Sequence, residues 1–112
     1  MIEGHLSTDF DASGPFLTAL GDEKRQKIII SLLQATTCEG LQVSDLTKVT
    51  GLSRPAVSYH LRILRAAKII DYRTKGTKNF YYFVHETTEI EKLQHLLSDV
   101  VQAMTTNGEA DK

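Results

Sequence analysis

A mainly α chain with one small β-hairpin, in the order α-α-α-α-β-β-α, is the fold class this sequence predicts. Three observations predict it. The stretch VSDLTKVTGLSRPAVSYHLRILRAA, from Val43 to Ala67, reads as two short helices about a tight turn. The runs KIIDYRT and NFYYFV after it have strand length and are rich in β-branched and aromatic residues. The segment TTEIEKLQHLLSDVVQAM then returns to apolar residues at helical spacing. Two helices about a turn with a hairpin after them make a winged helix-turn-helix.

Each element has its own local signal. Residues 1–13, MIEGHLSTDFDAS, show no periodicity and predict a flexible arm ahead of one domain over 14–105. Phe16, Leu17 and Leu20 share one face of a short helix that Gly21 ends. Asp22 caps a longer helix, DEKRQKIIISLLQA, whose early acids suit the helix dipole and whose buried side is Ile28, Ile29, Leu32 and Leu33. Residues 36–40 are a loop. In the next helix Val43, Leu46 and Val49 face inward. Gly51 sits where a helix end favours positive φ, Ser53 can cap the second helix of the pair, and Pro55 in its first turn lacks only an N–H that would be an orphan. This second helix turns Val57, Leu61 and Leu64 inward and Arg54, Ser58, Tyr59, Arg62 and Arg65 outward. Lys75, Gly76, Thr77 and Lys78 are hairpin-turn chemistry. The last helix starts near Thr87 and aligns Ile90, Leu93, Leu97, Val100 or Val101, and Met104 on one side. So wide an apolar face exceeds what so small a domain can cover, so dimerisation is its natural use. A frayed tail is expected over 106–112.

Composition narrows the function classes. The net charge of −1 hides a strong imbalance: between Ser53 and Phe80 seven Lys and Arg oppose only Asp71, a net +6, which leaves −7 for the rest. A basic face on an acidic body is what phosphates would meet. No stretch reaches the ~18 apolar residues of a membrane span, and no secretory leader is visible, so a cytoplasmic protein without a membrane partner is expected. The single cysteine, Cys38, has no partner for an internal disulfide or a metal-ligand pair and reads as a structural or surface thiol. There is no Gly-rich phosphate loop and no nucleophile–base set, so neither a cofactor nor an enzymatic activity is expected. Among the histidines, His60 belongs to the second helix of the pair, and His85 with Glu86 and Glu89 reads as a solvated helix start. That cluster could collect zinc only at high concentration, His95 lies ten residues beyond His85 across a helix start, and His5 lies in the arm, so no metal site is expected.

These features point to double-stranded DNA as partner. The second helix of such a pair lies in the major groove with its N-terminal residues at the base edges. Ser58 and Tyr59 would then face the bases. Arg54 would reach phosphate or fork onto a guanine, and Arg62 with the hairpin residues Arg73, Lys75 and Lys78 would hold phosphates. The alternative is a protein-interaction module, since a fold does not fix a function. Exposed leucines on the second helix would favour that alternative, and a basic polar face favours DNA.

Three segments carry a resemblance to a known family. ALGDEKRQKIIISLL resembles the second helix of the ArsR/SmtB winged-helix repressors, LSRPAVSYHLRILRAAKII their recognition helix, and RTKGTKNFYYF their wing. Most specific is Ser-x-Pro-Ala-Val-Ser, then an aromatic residue and His-Leu, here Ser53 to Leu61. The resemblance spans roughly Phe16 to Met104. It implies a homodimer built from the first and last helices, through Phe16, Leu17, Leu20, Ile90, Leu93, Leu97, Val101 and Met104. It also implies a two-fold operator and, usually, repression. Arg54, Ser58 and Tyr59 match the family's groove-facing positions, with tyrosine where many members have histidine. Two familiar metal arrangements are missing. A Cys-x-Cys pair is replaced by Gln42 and Ser44, and the ligand positions of the last helix fall on Thr87, Glu89, Val100 and Ala103. A metal-independent regulator answering to an unidentified small-molecule effector is the expectation.

Overall fold

The computed structural model describes residues 2–35 and 39–110. Its elements are α1 (Ile2–Leu20), α2 (Glu23–Gln34), α3 (Val43–Thr50), α4 (Arg54–Ala66), β1 (Ile70–Lys75), β2 (Lys78–Phe83) and α5 (Thr88–Ala110). This is the predicted order, five helices and an antiparallel hairpin. Two compact units divide the chain: Pro15–His85, and Met1–Gly14 with Glu86–Lys112.

In the unit Pro15–His85, local chemistry sets the helix ends as the residues predict. Asp22 caps α2 by accepting from the Arg25 amide at 3.0 Å. Gly51 ends α3 at φ 72°, and the Ser53 hydroxyl accepts the Ala56 amide at 3.3 Å to start α4. The Gln42 amide donates to the Asp45 carboxylate at 2.9 Å, a cap on α3 that the sequence did not announce. Ile28, Leu32, Leu46, Val57, Leu61, Leu64, Ile69 and Ile70 form the core. Ile29 is only half-buried and Leu33 is 61% exposed, against the expected buried side of α2. The buried face of α2 is narrower because the charged residue Arg25 takes the place next to Ile28 and Leu32.

The hairpin pairs Ile70 with Phe83 through Lys75 with Lys78, around a two-residue turn at Gly76 and Thr77. A third, one-residue strand joins it. Leu41 and Tyr81 exchange amide-to-carbonyl bonds of 2.8 and 2.7 Å. Gly40 makes this approach possible: its φ is +95°, and a Cβ there would overlap the Tyr81 carbonyl.

In the other unit, Leu96 is the buried residue of α5, while Leu97, Val101 and Met104 stand exposed at one-turn spacing, Met104 to 68%. Two boundaries differ from the sequence expectation. Helix α1 begins at Ile2, where missing periodicity predicts an arm over 1–13, and α5 runs on to Ala110, into the expected tail over 106–112. The first extension is rich in Gly, Ser, Thr and Asp and the second carries Thr106, Asn107 and Gly108, residues whose weak helix propensity hides both from pattern reading. At the first, the start of α1 gains a neighbour in α5, as the 3.8 Å approach of Asp9 and His95 shows. At the second, the Thr105 hydroxyl bonds the Val101 carbonyl at 2.9 Å and the helix simply propagates. The reading of Cys38 falls outside the described residues.

Candidate nucleic-acid interface

The surface that matters is built on α4 and the hairpin. With Val57, Leu61 and Leu64 fully buried, α4 is locked about its axis. Helical geometry then fixes what faces out, and Arg54, Ser58, Tyr59 and Arg62 are all exposed, Tyr59 to 53%. Pro55 and the Ser53 cap make the N-terminus of α4 a defined edge, with Arg54 in its first turn and Ser58 at the start of the next. Tyr59 meets the His60 ring edge-on with centroids 5.4 Å apart, which limits its swing.

A residue that sequence reasoning left unremarked holds α4 in place. Arg25 is 8% exposed and reaches three partners besides its own cap. Its Nε donates to the Ala19 carbonyl at 2.9 Å, one guanidinium nitrogen to the Thr18 carbonyl at 3.1 Å and the other to His60 Nδ1 at 3.1 Å. Guanidinium has no lone pair to offer, so Nδ1 is the acceptor and His60 carries its proton on Nε2. The end of α1, the start of α2 and the middle of α4 are thus tied at one cation. Only its placement as a lone basic residue among the apolar positions of α2 could have signalled it.

On the hairpin, Arg73, Lys75 and Lys78 are exposed as expected, but two of them are engaged. Arg73 lies over the Tyr82 ring at 4.6 Å from its centroid, a cation–π contact that holds the guanidinium against the hairpin. Lys75 Nζ lies 2.6 Å from Glu39, and that ammonium, with Arg73 adding to it, holds the Glu39 carboxyl below its ordinary range. Arg65, which the sequence places on the polar face of α4, is drawn to the hairpin instead. It lies 4.3 Å over the Tyr72 ring and 3.4 Å from Asp71.

The residues expected at a dimer surface fall into three groups. Leu97, Val101 and Met104 are exposed, whereas Phe16 is 6% exposed and belongs to the core. Leu17, Leu20, Ile90 and Leu93 are half-buried. Phe16 follows Pro15 on the face of α1 that also buries Ala19, so its own chain covers it.

Exposed polar residues on the second helix of the pair and a basic hairpin after it make this a winged helix-turn-helix. Comparisons with known proteins agree. Residues 22–72 match the family described as bacterial regulatory protein, arsR family. The arsenical resistance operon repressor of Bacillus subtilis is 42% identical over 64 residues, 56% of this chain and 57% of that protein. An uncharacterized HTH-type transcriptional regulator of Methanocaldococcus jannaschii is 34% identical over 86 residues, 75% of this chain and 92% of that one. Among solved structures, an ArsR-like transcriptional regulator from Rhodococcus sp. RHA1 superposes with a TM-score of 0.72 over 92% of each chain at 23% identity, a likeness of fold. The chain belongs to the ArsR/SmtB family of winged-helix regulators. It spans about half the length of the first curated relatives it matches. No helix among the described residues is long and apolar enough to cross a membrane.

Proposed function

We propose that this protein is a dimeric, sequence-specific DNA-binding transcriptional regulator that acts as a repressor. The observation that carries the reading is the exposed row Arg54, Ser58, Tyr59 and Arg62 on a helix whose opposite face is fully buried. No large aliphatic residue interrupts that row, which disfavours a protein-interaction module. In the DNA complex, Arg54 forks onto a guanine edge, Ser58 and Tyr59 read the groove, and Arg62, Arg73 and Lys78 hold phosphates. Lys75 reaches a phosphate by exchanging Glu39 for it, an exchange of one exposed partner for another that changes the binding energy little.

Family relatives named as repressors support the regulatory sense, and the exposed stripe Leu97, Val101 and Met104 supports a second copy as the partner. Neither Gln42 with Ser44 nor the Thr87, Glu89, Val100 and Ala103 positions supplies the familiar metal ligands, so any effector acts elsewhere.

Fluorescence anisotropy against the protein's own promoter and a scrambled duplex, at two salt concentrations, tests the reading. Tight, salt-sensitive and promoter-selective binding is expected. R54A should relax preference at one base pair by about 1–3 kcal/mol, while K78A should weaken all sequences alike and lower the salt slope by about one. Equal, weak binding of both duplexes at low salt would move the protein-interaction reading to first place.

A further inference from the structure

The unit that contains α5 holds a side-chain group for which DNA reading has no use. Asp9 from α1 and His95 and Asp99 from α5 each bring one donor atom to a common point, all within 4.8 Å of one another. His95 Nε2 is 3.3 Å from Asp99 Oδ2 and 3.8 Å from Asp9 Oδ2. The two carboxylate side chains are only 16% and 19% exposed, while the His95 side chain is 67% exposed. Asp9 Oδ2 is buried with no hydrogen-bond partner, since 3.8 Å exceeds hydrogen-bond range. A buried carboxylate oxygen without a donor is costly, and a cation removes that cost.

We propose that Asp9, His95 and Asp99 form a binding site for a zinc-class divalent metal ion. Zinc bonds of about 2.0–2.2 Å in tetrahedral geometry place ligand atoms about 3.4 Å apart, close to the two separations found here. One imidazole with two carboxylates suits Zn²⁺ or Co²⁺ and offers nothing to thiophilic ions. The fourth position is open to water. An open cleft beside the cluster, lined by Ala12, Thr88, Glu91 and Lys92, gives an ion its path. Lys92 is held 3.3 Å from Glu89 and leaves the cluster to other cations. These residues are none of the positions at which the familiar metal arrangements of the family fall in this chain.

A protonated His95 between two carboxylates would balance the same charges without metal, and titration separates the two cases. Chelator-stripped full-length protein is titrated with Co²⁺ while its visible ligand-field absorption is followed, and with Zn²⁺ in competition with a chromophoric chelator. One ion per chain is expected. D9N, nearly isosteric, and H95A, at a largely exposed position, should each weaken binding at least about tenfold while leaving the helical circular dichroism unchanged. Wild-type protein that takes up neither ion, or variants that bind as tightly as wild type, would overturn the site. The readout involves no DNA, so it stands or falls separately from the regulatory reading.

Discussion

Arg25 shows how much one side chain can decide. Two main-chain carbonyls and His60 Nδ1 all depend on a single buried guanidinium, and a charged donor is worth more per bond than a neutral one. R25M keeps the side chain's length and apolar stem but strands three acceptors. It is expected to cost about 3 kcal/mol or more in urea unfolding, and R25K to recover only part of that because the fork is lost. Asp22 works beside it at smaller scale. Its hydrogen bond from the Arg25 amide holds the carboxyl below its ordinary value. A lowered carboxyl stabilises the fold fully above the unfolded-state value near 3.8 and loses that contribution as pH falls through the folded-state value. D22A should therefore cost about 0.5–2 kcal/mol at neutral pH and less in acid, which unfolding curves at both pH values would show. An equal cost at both would mean that the charge plays no part.

At the scale of elements, Gly40 governs the seam between the hairpin and the segment that leads into α3. A methyl group there meets the Tyr81 carbonyl, and φ +95° is costly for any other residue. G40A is expected to break the Leu41–Tyr81 bridge and destabilise the unit by about 2 kcal/mol, with hydrogen exchange at the Leu41 and Tyr81 amides rising most. Unchanged exchange at these two amides would show that the bridge tolerates the clash. The elements themselves are legible where side-chain chemistry is local: Asp22, Gly51, Ser53 and Pro55 announce their helix ends, and the row on α4 comes from the burial of Val57, Leu61 and Leu64. The hidden contacts depend on residues far apart in the chain. Glu39 meets Lys75 and Arg25 meets His60 only after folding, and Asp9 meets His95 across most of the sequence. The start of α1 escapes pattern reading because Gly, Ser and Thr weaken its helical signal, and Phe16 because an apolar residue reads alike whether its own chain or another covers it.

For the whole molecule, the dimeric reading rests on Leu97, Val101 and Met104, spaced one turn apart and open to solvent. V101E and M104E place a charge on that stripe without touching the buried Leu96, so each chain should stay folded. Sedimentation velocity is expected to show monomers for the double variant and dimers for wild type. Operator affinity should then fall steeply, because each half-site is held alone rather than by linked chains. A double variant that sediments as wild type would place the dimer contact on another surface.

The Leu41–Tyr81 bridge also bears on which partner would deform in the proposed complex. It stitches the second strand of the hairpin to the lead-in of α3, so under the DNA-binding reading the hairpin is braced like one jaw of a calliper, and a duplex of unsuited groove width would bend or twist to fit, making the stiffness of its sequence part of what is recognised.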